Sequence, residues 1–301
     1  MKKAFTLIEL IMVIVILAIL SLIGTDIYTN VYKNYLSSKL VDETENKTQL
    51  ALDQIAARLG DRVKQATIGK KSTNTNDIAL VYSDSLMQDH DILEWIGQST
   101  QSRNLAASDI DNSIGWTGFL DLGEYQDGKG ILIGGNLPNT ISIIDAISTG
   151  KSRNLAMIFQ GISDGINADG YGFKGENPDK VMIFSMPVAG PAATVERYGN
   201  PALRNRKISD SYQIAHSAYA IVPVTTGDKT DLYLYYDYRP WNGQNYKDDG
   251  KKSLLVENVT LFRFRGFSAG GIDLKLCVNA RSEDHGVTDN RFVVCKSKVV
   301  F

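Results

Sequence analysis

The chain has 301 residues, 32 Lys+Arg against 34 Asp+Glu, and a formal net charge of -2. That length allows one or two domains, and the near-neutral balance is not that of a nucleic-acid-binding protein. With 43% hydrophobic and 22% charged residues most of the chain should fold around a core, and two cysteines exclude a four-Cys zinc site or a Cys-dense scaffold.

The first element in the chain is the most apolar. From Phe5 to Gly24 the one ionisable side chain is Glu9, and Leu10 to Leu20 is nearly pure hydrocarbon. Twenty residues at about 1.5 Å each span about 30 Å, one bilayer core. A cleavable secretory signal is a poor match, because Leu22-Ile23-Gly24-Thr25-Asp26 has no small-x-small site after the apolar run. Lys2 and Lys3 place the N-terminus in the cytoplasm by the positive-inside rule, with the C-terminal part across the membrane. A plain anchor leaves Glu9 unexplained, since a carboxylate in such a segment costs a few kcal/mol without a partner.

The stretch Lys2-Lys3-Ala4-Phe5-Thr6-Leu7-Ile8-Glu9-Leu10 resembles the signal of type IV prepilins and type II secretion pseudopilins. The resemblance implies cleavage between Ala4 and Phe5 by prepilin peptidase, N-methylation of Phe5, and Glu9 as the fifth mature residue. Glu9 would then neutralise the N-terminal ammonium of a neighbouring subunit. Two departures stand out. Ala4 occupies the position before the cut where the family usually has Gly, and Asp26 stands where major pilins often carry Pro.

A second periodic segment follows. Leu52, Ile55, Leu59, Val63 and Ala66 recur at steps of three and four, which predicts one helix from Phe5 to about Thr67 with its stop at Gly69. The expected organisation is a leader at 1–4, a transmembrane half-helix at 5–24, an amphipathic half at 25–69 and a β-rich head at 70–301. The expected fold class is α+β, a long helix packed on an antiparallel sheet.

Beyond Asp77 the pattern is one of strands and turns. Expected strands cover Ile78–Tyr82, Gly130–Gly134, Val181–Met186, Ala218–Val222, Leu232–Tyr238, Leu255–Phe264, Ile272–Val278 and Arg291–Val300, with a short helix near Trp95. Stretches 161–179 and 240–252 read as surface loops. Tyr238-Arg-Pro-Trp-Asn242, Leu254 to Phe264 and Ile272 to Cys277 resemble the end of large minor pseudopilins of the J or W type.

Cys277 and Cys295 fall in the last two expected strands, where a disulfide is in reach in an oxidising compartment. Asp164, Asn167, Asp169 and Glu176 only partly fit a calcium loop, since Gly165 would occupy its first position. No metal or other cofactor is therefore expected, with calcium the one alternative. Gly266-Phe-Ser268-Ala-Gly270 matches a nucleophile-elbow pattern, which needs a strand, a turn and a helix, with His216 and Asp210 as paper partners. A strand is expected after it, so a hairpin turn is the preferred reading. Gly123 to Gly130 falls short of a P-loop because Gly130 stands where Ser/Thr is required.

The functional expectation is a structural, non-enzymatic minor pilin or pseudopilin at the tip of a secretion pseudopilus or type IV pilus. Its partners would be prepilin peptidase, other pilins, the inner-membrane assembly platform and lipid. Two alternatives remain open: a pilus-tip binding head for adhesion or DNA uptake, with basic residues at Lys151, Arg153 and 197–207, and an anchored periplasmic hydrolase using Ser268.

Overall fold

The computed structural model describes residues 6–105, 114–126, 129–148, 154–160, 173, 182–185, 194–196, 209–280 and 292–301. Its first element, α1 (Leu7–Gly60), has 54 residues and is about 80 Å long at 1.5 Å per residue. Its first half is exposed throughout, and its first buried residue is Thr44. From there Thr48, Ala51, Leu52, Ile55, Ala56 and Leu59 form a buried stripe at helical spacing.

The helix stops earlier than its apolar period implies. Asp61 caps it, and Arg62–Lys70 is a strand, β1. Val63 and Ala66 continue the three-and-four spacing but lie on that strand, buried against the far face of the sheet. The strand wins because β1 pairs antiparallel with β3 (Ile92–Gln98) and β2 (Ile78–Leu80). Tertiary pairing thereby overrides local period. The short helix expected near Trp95 is likewise absent: Trp95 is a fully buried core residue of β3.

The remaining elements follow in chain order: α2 (Thr100–Leu105), β4 (Leu120–Gln126), β5 (Lys129–Leu132), α3 (Leu137–Ile147), β6 (Asn154–Phe159), β7 (Met182–Ser185) and β8 (Thr194–Glu196). Then come β9 (Tyr212–Thr226), β10 (Lys229–Tyr238), β11 (Lys251–Val256), β12 (Val259–Gly266), β13 (Ile272–Asn279) and β14 (Val293–Val300). The main antiparallel sheet runs β11-β10-β9-β3-β1-β2, with β6 and β7 branching from β9. The branch exists because β9 is 15 residues long: its first residues pair with β6 and its later ones with β10. A second sheet runs β12-β13-β14, and a third β4-β5-β8.

The C-terminal half of α1 lies between the main and second sheets. Leu52, Ile55 and Leu59 share one core with Trp95, Ile221 and Leu232 of the main sheet and with Phe262, Leu274 and Val300 of the second. The opposite face of the main sheet carries a separate core around Ile68, Ile96, Ala218, Tyr238, Trp241 and Tyr246. Trp241 and Tyr246 correct the surface-loop reading of 240–252: Trp241 sits in a 3-10 turn and is fully buried. The single strand expected over Leu255–Phe264 is two strands, broken at Glu257-Asn258, where Asn258 takes φ 57°. Asn is among the few residues that tolerate that left-handed conformation.

Candidate functional site: the N-terminal segment and its support

Thr6 precedes the first helical turn in extended conformation. The Glu9 carboxylate turns back over that end: its Oε2 accepts from the Thr6 backbone N–H at 3.3 Å and from the Thr6 hydroxyl at 3.0 Å. A carboxylate in the first turn is favoured by the helix dipole, and it satisfies an amide that the helix itself leaves unpaired. Glu9 thus has a partner within its own chain. Ala4 and Phe5 lie outside the described residues.

Beyond Glu9 the helix presents hydrocarbon on every side. Leu10, Ile14, Leu17 and Leu20 are all more than half exposed, and their neighbours round the helix are exposed too. A helix apolar all round belongs in lipid or a large core, and here none of the described head residues covers it. Where the apolar run ends, the Thr25 and Thr29 hydroxyls donate to the carbonyls of Ser21 and Thr25, both at 2.8 Å. Such back-bonding keeps polar groups satisfied without breaking the helix. This is the one helix among the described residues long and apolar enough to cross a membrane.

At its other end the helix is fixed to the second sheet by charge as well as by packing. Lys298 on β14 pairs with Asp53 at 2.5 Å, and Lys296 pairs with Glu45. The Lys298 hydrogen bond is the main reason that the Asp53 carboxyl lies below its usual pKa. Arg62, just past the helix, donates to the Leu59 carbonyl at 2.7 Å and to Gly270 at 2.6 Å, joining helix end to hairpin.

Cys277 and Cys295 are directly opposite in the β13–β14 register and are joined as a disulfide. The strands of this pair are otherwise linked in sequence only through residues 281–291, which lie outside the described set. The disulfide therefore holds β14, and with it the lysines that grip α1.

The other candidates separate. Ser268 lies in the β12–β13 hairpin, where Gly270 takes φ 77° and its N–H donates to the Phe267 carbonyl at 2.8 Å. A Cβ at Gly266 would meet the Val81 carbonyl oxygen at 2.8 Å. Both glycines are accounted for by the turn and by close backbone approach, and a strand follows instead of the helix a nucleophile elbow requires. His216, in β9, sits instead beside Asp237. Within Gly123 to Gly130, residues 123–126 lie on β4 and Lys129 and Gly130 on the paired strand β5, so no phosphate-binding helix opens there. The calcium-loop residues Asp164, Asn167, Asp169 and Glu176 and the basic residues at 151–153 and 197–207 lie outside the described residues. Among the described residues no group of three His, Cys, Asp or Glu is placed to hold a metal.

One buried cluster had no signal in the sequence. Lys70 and Glu94 form an ion pair on neighbouring strands in the second core, and the Tyr238 hydroxyl donates to Glu94 at 2.7 Å. Burial first, and then the Glu94 charge, push the Tyr238 phenol well above its ordinary pKa. The cluster is closed by Phe173 and Tyr246, and its chemistry is that of a cross-strand tie.

Residues 1–25 match the family model of the prokaryotic N-terminal methylation motif. The chain is a single-pass, membrane-anchored protein whose N-terminus carries the signal of type IV prepilins and pseudopilins. Behind that signal stands a long helix on an antiparallel β-rich head. The chain matches no curated protein and no solved structure.

Proposed function

We propose that the chain is a minor pilin or pseudopilin, a structural subunit of a filament assembled from the membrane. The observation that carries this is the joint placement of the methylation motif, Glu9 at the first helical turn, and an apolar half-helix left bare by its own head. A helix apolar on all sides is stable in lipid and equally in a bundle of like helices, so one element serves both the membrane-held and the assembled state. On extraction into the bundle, Glu9 exchanges its Thr6 partners for the methylated amino terminus of a neighbour, keeping the charge paired in a low dielectric.

The head favours a tip position. It spans the chain from Arg62 onward and holds the C-terminal half of the helix between two sheets. Such bulk on every subunit would crowd a shaft. The resemblance of the last strands to J/W-type pseudopilins supports the same place, with the head on the periplasmic side, prepilin peptidase as processing enzyme, and the assembly platform and other pilins as partners. The reading includes no catalytic or cofactor chemistry.

The test is mass spectrometry of the N-terminal peptide from native membranes with and without prepilin peptidase. N-methyl-Phe5, lost without the peptidase, is the expected result. An intact Met1 in both samples would overturn the reading and leave a plain anchored protein.

A further inference from the structure

Above the apolar run, α1 carries five large side chains that no described residue covers. Ile27, Tyr28, Val31, Tyr32 and Tyr35 are 50–70% exposed, and the Tyr28 and Tyr32 rings stack with centroids 6.2 Å apart. At about 100° per residue they occupy one side of the helix, while Asp26, Asn30 and Lys33 take the other. The segment is therefore amphipathic, unlike the uniformly apolar stretch before it.

Two further relationships say what this face meets. First, its tyrosines look away from the head. Ile55, at the centre of the buried stripe, lies about seven and a half turns beyond Tyr28, so the two point to opposite sides of the helix. The head cannot fold down over the tyrosines, and a surface approaching them meets no obstruction from it. Second, the heights fit a bilayer boundary. Counting about 1.5 Å per residue from Leu7, Tyr28 stands about 32 Å and Tyr35 about 42 Å along the axis. The hydrocarbon core is about 30 Å thick and the headgroup layer adds about 5–8 Å on each side. An upright helix would leave Tyr35 in water. A tilt of about 20°, the average for such helices, brings Tyr28 to about 30 Å, Tyr32 to about 35 Å and Tyr35 to about 39 Å, so the rings run through the headgroup layer from the acyl boundary to its outer edge.

We infer that Tyr28, Tyr32 and Tyr35, with Ile27 and Val31, form an interfacial anchor that rests on the lipid headgroups at the C-terminal side of the span. The anchor tilts the helix and fixes its rotation. Tyrosine suits this place because its ring takes the acyl boundary while its hydroxyl stays hydrated. Lys39 falls one turn further on the same side, exposed and weakly paired to Glu43 at 3.8 Å. The lipid-facing side being opposite the head, the head is held up from the membrane in one orientation. This rests on the membrane span alone and not on the tip assignment. It fails independently of whether Phe5 is methylated.

The test uses the full-length chain in vesicles of phosphatidylethanolamine and phosphatidylglycerol. Spin labels are placed singly on Val31→Cys and Lys33→Cys; the native cysteines are already paired. The two positions differ by only about 3 Å along the axis but face opposite ways. The expected result is an oxygen-to-nickel-chelate accessibility ratio at 31 at least about threefold that at 33, as for a helix lying with one face in the interface. The triple variant Tyr28→Ser, Tyr32→Ser, Tyr35→Ser should remove the difference while the chain stays membrane-bound. Equal ratios at the two positions in the parent chain would overturn the inference. So would dipolar broadening between Val31 labels, which would make the occupant of this face a second copy of the chain.

Discussion

Lys70 and Glu94 lie 2.7 Å apart in the interior of the head, their side chains 3% and 1% exposed. Neither charge is left to the other alone. Glu94 also accepts from Tyr238, and Lys70 donates to the Phe173 carbonyl at 2.7 Å with the Tyr246 ring at 5.7 Å. The cluster thereby joins β1, β3 and β10, strands that are not all neighbours in the sheet.

Removing one charge should accordingly hurt more than removing both. Glu94→Gln strands the Lys70 ammonium in the core and should cost about 3–5 kcal/mol. The double variant Lys70→Met, Glu94→Leu should cost clearly less. Urea unfolding of the detergent-solubilised protein compares them, and equal or greater loss in the double variant would contradict the assignment.

Stability should also carry the mark of His216. Burial, and secondarily the nearby Arg239 charge, lower its pKa to about 4 against the usual 6.5, with Asp237 opposing. The unfolded chain therefore binds a proton that the folded chain refuses between those values. The contribution is fully present above pH 6.5 and is lost as pH falls toward 4. The full shift corresponds to about 3 kcal/mol. His216→Asn should flatten this part of the stability–pH curve, measured by urea midpoint from pH 4 to 7.

The disulfide should matter to the hold on α1. Cys277 and Cys295 are 18 residues apart, and opening a loop of that size costs about 3 kcal/mol in the chain-entropy picture. Paired Cys→Ser substitution should lower the melting temperature by about 6–12 °C. After protease cleavage within 281–291, reduction should release β14 more readily than reduction alone, because the bridge is then its sole covalent link and only the β13 ladder and the α1 contacts remain.

Ser268→Ala should change neither stability nor assembly. Ser268 is exposed at a hairpin whose shape is set by Gly270 and by the packing of Gly266 against Val81. Gly270→Val, in contrast, forces a β-branched residue to φ 77° and should cost about 1–3 kcal/mol. Thermal melts of both variants decide this. A drop for Ser268→Ala as large as that for Gly270→Val would show that the hydroxyl, rather than the turn, is what the chain needs there.

The sequence was most informative where local chemistry is self-sufficient. An apolar run long enough to span a bilayer, a glutamate at one position in it and a pair of cysteines in alternating strands can each be read without knowing what else is near. Reading failed where the same local signal serves two structures. Val63 and Ala66 keep helical spacing yet belong to β1, because β3 offers that segment a ladder. Trp95 reads as part of a polar, ambiguous stretch because the residues before it do, though it is the largest side chain of the central core. Trp241 and Tyr246 lie among Gly, Asn and Asp, and only the second core shows why two aromatic residues stand in such a segment.

The sequence by itself therefore determined the anchor, the processing signal and the α+β class, since these depend on hydrophobic length, side-chain type and period along one segment. The tertiary structure alone decided where the helix ends, that α1 is gripped between two sheets, and that Lys70, Glu94 and Tyr238 meet. It also decided that the tyrosines of α1 turn away from the head. Those relationships join residues far apart in the chain, and their free energy comes from burial and pairing that no single segment contains.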